Sequence, residues 1–259
     1  MASQTITADF TTAISVPDSN DILLITKAVN GSVATLAIDG ETDGDNRQFI
    51  INGTVEALAA TAGPDDSVAL LVGIGADRTD AQDNVVRIGK FGRLTAEDVA
   101  LRMYAQDSVI VNNGVMQAGT GMDGYYGGAD ITNNGSILGT TRAIETEGDD
   151  MEFVNNGLIR AAGVAFLVEG SGNVVQNFGT IRNTAGGQAF DFNSLAGDSN
   201  RLINHENILS INSSTALRGG EGSEIIINFG HIAGGVVLDD GDDIFVNRGT
   251  VDSTIFGGA

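Results

Sequence analysis

The 259-residue chain has no cysteine, no tryptophan and only two prolines. Without cysteine it can form neither disulfides nor thiolate metal sites, and the redox compartment is left open. Basic residues are scarce too: 13 Lys and Arg, with Lys27 and Lys90 the only lysines, face 34 Asp and Glu, for a formal net charge of −21. Such a surface repels nucleic acid and anionic membranes and favours divalent cations or cationic partners. No apolar run is long enough for a membrane-spanning helix. The opening MASQTITADFTTAISVPDSND has neither the charged nor the apolar region of a secretory signal, so an export address is expected elsewhere, a C-terminal signal beyond this sequence included.

Catalytic signatures are equally sparse. There is no G-x-S-x-G, no phosphate-binding G-x-x-x-x-G-K-[ST] and no H-E-x-x-H, and Gly73-Ile74-Gly75 has no helical pattern after it to make a dinucleotide site. The two histidines, His205 and His231, flank the same repeat position in consecutive units, and a zinc site built on them would need carboxylates. No nucleotide cofactor is expected.

What the chain has is a repeat. The phrase in MEFVNNGLIR, residues 151–160, returns with its glycine at positions 31, 53, 92, 114, 135, 157, 179, 230 and 249, and Glu206 fills the slot once. The steps are 22, 39, 22, 21, 22, 22, 27, 24 and 19 residues. A period this short, with no helical pattern inside it, accommodates one turn of a stacked β-coil. The expected fold is all-β: a parallel β-helix (β-solenoid) of about ten coils of roughly 22 residues, with a right-handed coil as the expected hand. A second marker, Ala followed by an apolar residue (Ala100-Leu101, Ala143-Ile144, Ala165-Phe166, Ala189-Phe190, Ala216-Leu217), places at least one more strand in each coil. Ala69-Leu70 lies in the long 39-residue step, which therefore reads as one coil carrying two inserts, about Ala57 to Asp66 and Gly73 to Ala81, and not as a missed coil. We divide the chain into an irregular first coil (1–28), the β-helix (29–251) and a short tail (252–259).

Residues four before and two after the glycine are almost always apolar, as in Phe153 and Ile159, and strand alternation turns both sets inward. Between them, two before the glycine, stand Asn112, Asn133, Asn155, Asn177, Asn204, Asn228 and Asn247. An Asn at a bend can satisfy its own turn and bond the amide one coil away, so these are expected to form a structural ladder. The glycine beside it supplies either a positive φ or close packing. Another corner is acidic, with Asp43, Asp45, Asp149, Asp150, Asp198, Asp240, Asp242 and Asp243 as candidate ligands for Ca2+, a cation that wants several oxygens, set against the reading of a solvated charged corner. Asn46, in that corner, is expected to tolerate replacement.

The N-x-G-x-I coils with acidic, Gly-rich corners resemble the β-helical passenger regions of bacterial autotransporter and hemagglutinin-like adhesins, over about Val29 to Val251. The last residues, DSTIFGGA, look like the lead-in to RTX calcium repeats, although no complete G-G-x-G-x-D-x-U-x nonapeptide is present. The resemblance implies an extracellular or cell-surface bacterial protein, adhesion, type I secretion and calcium-dependent folding. The expected role is a non-enzymatic structural or adhesive rod. Its partners would be cell-surface or matrix polysaccharide, or further copies of itself stacked head to tail into filaments. The alternative is a polysaccharide lyase, epimerase or glycosidase, since β-helices host such enzymes. A glycosidase needs two carboxylates at a fixed gap, whereas here the acidic residues recur at turns. Arg160 and Arg182 are expected to form a short outer row, with Arg142 elsewhere.

Overall fold

Every regular element in the described part of the chain is a β-strand, and every strand pairing is parallel. The computed structural model describes residues 3–40, 44–58, 67–73, 81–211 and 215–258. Each coil contributes three short strands to a three-sided solenoid. The first face consists of the strands that precede the repeat glycine and runs as one sheet of eleven strands from Ser3–Ile6 to Ile244–Asn247. The second face follows the glycine, as in Leu158–Ala161 and Thr180–Asn183, and the third carries the Ala marker, as in Phe166–Val168 and Phe190–Phe192. In two coils the second and third strands run on as single bent strands, Val115–Tyr125 and Ser136–Glu147, and the register between them shifts between Ala118 and Thr120.

The repeat phrase sets the register. Phe153 pairs with Val175 and Asn155 with Asn177 on the first face, Ile159 with Ile181 on the second, and Phe166 with Phe190 on the third. The fold is thus the parallel β-solenoid expected, with eleven first-face strands where about ten coils were anticipated. The additional strand comes from the N-terminal segment, where Ser3–Ile6 pairs with Ile22–Ile25. At the other end Ile255–Phe256 pairs with the third face. The long step also reads as expected. Leu70 lies in register between Ile38 and Leu101, and Phe49 pairs directly with Val86, so no coil is missing. The bulk of both inserts, including Pro64-Asp65-Asp66 and Asp77 to Asp80, falls outside the described residues.

The two apolar positions of the phrase do line the interior. Ile110, Phe153, Val175, Leu202 and Ile226 are fully buried, as are Met116, Ile137, Ile159, Ile181 and Ile208. The Ala marker supplies a small residue beside a large one, and Ala143, Ala165, Ala189 and Ala216 are fully buried. Midway along the rod, Phe153, Phe166, Phe190 and Phe192 make successive edge-on or tilted ring contacts with centroids 4.7–5.2 Å apart. Aromatic pairs favour this geometry over face-to-face overlap.

The asparagine ladder is continuous. The Nδ2 of Asn112 donates to Oδ1 of Asn133 at 2.8 Å, and the same bond repeats from Asn133 to Asn155, Asn177, Asn204, Asn228 and Asn247 at 2.7–2.8 Å. The Oδ1 of Asn112, Asn155, Asn177 and Asn247 also accepts the amide N–H of the repeat glycine two residues on. All but Asn247 are buried. Below Asn112 the column continues with Ile88, Ile51 and Ile25, so the earlier coils use an aliphatic stack in the same place.

Of the two roles open to the repeat glycine, close packing is the one observed. Gly114, Gly135, Gly157, Gly179, Gly230 and Gly249 are absent from the positive-φ residues. A Cβ on Gly135, Gly157 or Gly179 would instead fall on the carbonyl oxygen of the glycine one coil below. Left-handed backbone is found at the acidic corner, Asn46 included with φ of 56°. That narrows the tolerance expected at Asn46 to residues that accept this conformation.

Three substitutions test these assignments by denaturant unfolding. Asn155→Leu should cost about 1–3 kcal/mol by leaving Asn133, Asn177 and the Gly157 amide short of partners. Gly157→Ala should cost about 3 kcal/mol by overpacking against backbone that cannot yield. Asn46→Gly should change stability by only a few tenths of a kcal/mol, about as small as the Asn-to-Gly change at helix caps. Equal losses at all three positions would contradict the assignment of inner and outer columns.

Candidate functional site

Three surface columns bring polar or aromatic side chains together. The first is the acidic corner between the third and first faces. Asn20, Asn46, Asp83, Asp107, Gly128, Asp150 and Gly172 each have φ between 49° and 74°. Each donates its amide N–H to the carbonyl oxygen of a residue in the next coil, as in Asp107 to Gly127 (2.9 Å), Gly128 to Asp149 (2.8 Å) and Asp150 to Ser171 (2.9 Å). Asn, Asp and Gly are the residues that enter the left-handed region most readily, so turn chemistry selects much of this corner's composition.

Several of the candidate calcium ligands are engaged with the chain itself. Oδ1 of Asp45 accepts the Gln82 amide at 2.9 Å, Oδ1 of Asp149 the Ser171 amide at 2.8 Å, Oδ2 of Asp198 the Leu195 amide at 2.8 Å, and Oδ1 of Asp243 the Glu224 amide at 2.8 Å. Asp150 is one of the left-handed residues, Asp240 and Asp242 are exposed, and Asp43 lies outside the described residues. Among the described residues no three His, Cys, Asp or Glu side chains converge as a metal cage.

A buried polar column runs just inside this corner and was not legible as a pattern. Its members differ in type: Arg47, Asn84, Ser108, Asn173, Asn200 and Glu224 are nearly or fully buried. In most, a side-chain oxygen accepts the backbone amide of the member one coil below, as from Arg47 to Asn84 (3.0 Å), Asn84 to Ser108 (3.2 Å) and Asn173 to Asn200 (3.0 Å). Glu224 is the acidic member. Its Oε1 accepts the Ser194 hydroxyl at 2.6 Å, and Asp243 stands above it with a buried Oδ2 that has no hydrogen-bond partner among the described residues. Burial pushes the Glu224 carboxyl up to about 7, against the Ser194 and Gly220 hydrogen bonds and with the Asp243 charge adding to the rise.

The second surface column is a charged row on the outer side of the third face. Strand register aligns Arg102, Asp123, Glu145, Leu167, Asp191 and Arg218 in consecutive coils. Arg102 pairs with Asp123 (2.9 Å), Arg142 with Glu145, and Arg218 with Asp239 (2.6 Å). Shallow hollows of about 230 and 290 Å3 open at the Arg102–Asp123 and Arg218–Asp239 pairs. Burial raises the Asp123 carboxyl above the usual range although Arg102 opposes it. Burial also lifts Asp191 to about 6, where Arg218 opposes and Asp239 reinforces the shift. The hydrogen bond to Asp239 raises Arg218 further. Arg142 touches this row through Glu145 while standing in register with Thr120, and Arg160 and Arg182 stand in register on the second face as expected.

The third column occupies the position just before the repeat glycine. Its first part is an exposed outer asparagine ladder, in which Asn156 donates to Asn134 and Asn134 to Asn113 (2.8–2.9 Å), opposite in direction to the inner one. Phe178, His205 and Phe229 then stack nearly parallel, with centroids 4.4 and 5.1 Å apart, and Arg248 lies over Phe229. The two histidines do not meet in a shared site: His205 is held between rings, and Nε2 of His231 bonds Oδ2 of Asp252 at 2.8 Å. No protein-family model, no curated protein and no solved structure matches this chain.

Glu224 and Asp191 give stability a definite pH dependence. Both carboxyls titrate higher in the folded chain than in the unfolded one, so between the usual carboxylate range and about pH 7 the folded state holds more protons. Stability must therefore fall as pH rises through that window. Urea midpoints should drop between about pH 5 and about pH 8, and the drop should shrink in Glu224→Gln and Asp191→Asn. A slope that is the same in both variants and the parent would contradict the assignment.

Proposed function

We propose that the chain is a non-enzymatic structural or adhesive rod of the bacterial exterior. The observation that carries this reading is that the polar groups brought together by the repeat are largely engaged with neighbouring coils. The inner asparagines bond each other, and Asp45, Asp149, Asp198 and Asp243 cap backbone amides. What remains outside is a set of regular faces about 48 Å long at the usual strand spacing. Such faces suit extended contact with cell-surface or matrix polysaccharide, and the acidic, cysteine-free, lysine-poor composition agrees with an extracellular setting. Head-to-tail stacking of copies belongs to the same proposal. Calcium enters as a screen between acidic corners brought together by stacking.

A polysaccharide-active enzyme is the second reading, and Asp191 is the observation that favours it. A buried carboxyl lifted to about 6, beside an Arg218–Asp239 pair, is the kind of group that can exchange a proton near neutral pH. Incubation with a panel of acidic and neutral polysaccharides separates the two readings. The rod predicts retention on one or more of them without shortened or unsaturated products, and turnover abolished by Asp191→Asn would replace it with the enzyme. Electron microscopy with and without millimolar-range calcium tests stacking: filaments lengthening with calcium are expected, and single particles under both conditions at high concentration would remove that part.

A further inference from the structure

The outer side of the first face is apolar over most of its length. Alternate side chains of a strand point outward, so the strands of this face present two outward columns in register from coil to coil. One runs through Leu24, Ile50, Val111, Val154, Ile203 and Ile227 and is interrupted by Arg87, Thr132 and Gln176. The other contains Val85, Val109, Val174 and Ile225 together with Asp130, Glu152 and Arg201. Because the inward residues are apolar too, runs such as Val109-Ile110-Val111 and Ile225-Ile226-Ile227 are continuous. Such runs are the mark of parallel strands covered on both sides. Here the outer side is open, for Asp130, Glu152 and Arg201 are exposed and Ile225 is 37% exposed. Outward positions of the second face are by contrast polar at Thr54, Glu56, Arg93, Thr180 and Arg182.

The charges on this face identify the occupant. On a chain of net charge −21, its two outward columns set Asp130 and Glu152 against Arg87 and Arg201 and are neutral. Glu152 and Arg201 stand two coils apart in one column with Val174 between them, and neither has an ion-pair partner among the described residues. A second copy turned about a two-fold axis along the strand of Val174 and Gln176 has this column reversed. Glu152 of each copy then meets Arg201 of the other, Val154 meets Ile203, and Gln176 meets its own counterpart. A two-fold axis along the rod would instead set Glu152 against Val154 and Arg201 against Ile203, burying charges without partners. Moving the transverse axis by one coil onto Glu152 would set that residue against itself. In the favoured arrangement the coils from Val109 to Ile244 overlap, seven in all. They give a footprint of about 34 Å by about 13 Å, or about 450 Å2 on each copy. Phe178 and Phe229, 43% and 42% exposed and two residues beyond Gln176 and Ile227, extend it at one edge. The pair thereby reaches the total of about 1,000 Å2 at which specific contacts begin.

We propose that the outer side of the first face docks onto the same face of a second copy of this chain, the two rods antiparallel, with a Glu152–Arg201 ion pair on either side of Gln176. The inference goes beyond the adhesive reading, which is tested on polysaccharides and needs no lateral contact. It is also distinct from head-to-tail stacking, since a two-fold contact closes at two copies whereas a head-to-tail contact continues to grow.

Sedimentation equilibrium without calcium, at near-physiological salt, provides the test. A contact of this size should give a monomer–dimer equilibrium with a dissociation constant on the order of 10 μM, visible between about 1 and about 500 μM chain. Glu152→Arg and Arg201→Glu should each weaken it about hundredfold, since each removes two symmetric pairs at about tenfold apiece. Combining the two swaps the partners and should restore the parent affinity. Arg160→Glu, at an exposed position of the second face, makes the same charge change as Arg201→Glu and should leave dimerisation unchanged. A parent that stays monomeric over the whole range would overturn the proposal. So would equal affinities for Arg160→Glu and Arg201→Glu, or a combined variant that dimerises no better than the single ones. Should either single variant lose its β-sheet signal in circular dichroism, Ile203→Lys decides the matter. It should leave no dimer at the highest concentration, and an affinity equal to the parent's overturns the inference.

Discussion

The main-chain hydrogen bonds that join each strand to its counterpart one coil later are what the rest of this structure depends on. A parallel pairing with no slip carries a residue onto the same residue type about 22 positions later, so any side chain that tolerates its own copy as a neighbour can form a column. Isoleucine and phenylalanine do so by packing, asparagine by donating one amide hydrogen and accepting another, and glycine by leaving room for a carbonyl oxygen. Aspartate is the residue for which self-stacking is unfavourable. At the acidic corner Asp107 is followed by Gly128, and Asp150 by Gly172, and each carboxylate lies where the next coil lacks a side chain.

The same constraint explains which features were legible in the sequence. A column of one residue type at a nearly fixed period appears directly, and so the strands, the inner apolar rows, the asparagine ladder and the double insert could all be read. The buried column through Arg47, Asn84, Ser108, Asn173 and Glu224 could not, because it conserves a hydrogen-bonding role while changing the residue that performs it. Phe178, His205 and Phe229 likewise differ in type, so their stack has no single-residue signature in the sequence. The charged row mixes acidic, basic and aliphatic residues from coil to coil, so it has no compositional signature at all.

At the acidic corner composition serves the backbone. Its Asp, Asn and Gly residues, which also read as candidate hard-cation ligands, supply the left-handed residue needed in coil after coil and the amide caps beside it. Unspent polar groups are scattered over the faces, among them Asp191 on the third face, which is buried by its neighbours without gaining a donor. A solenoid can carry a few such groups because each coil is held mainly by the coils on either side, and an unfavourable contact in one is offset locally. Function in a repeat protein is accordingly sought at departures from the repeat rather than in it.

Spin-label distances along the first face test the coil-by-coil account most directly. Gln48, Glu152 and Arg201 are exposed and lie in one column, Glu152 four coils and Arg201 six coils from Gln48. Labels at 48 and 152 should be about 19 Å apart and labels at 48 and 201 about 29 Å apart, each coil adding about 4.8 Å. Distances that fail to grow between the two pairs, or that spread over a broad range, would contradict a continuous parallel stack.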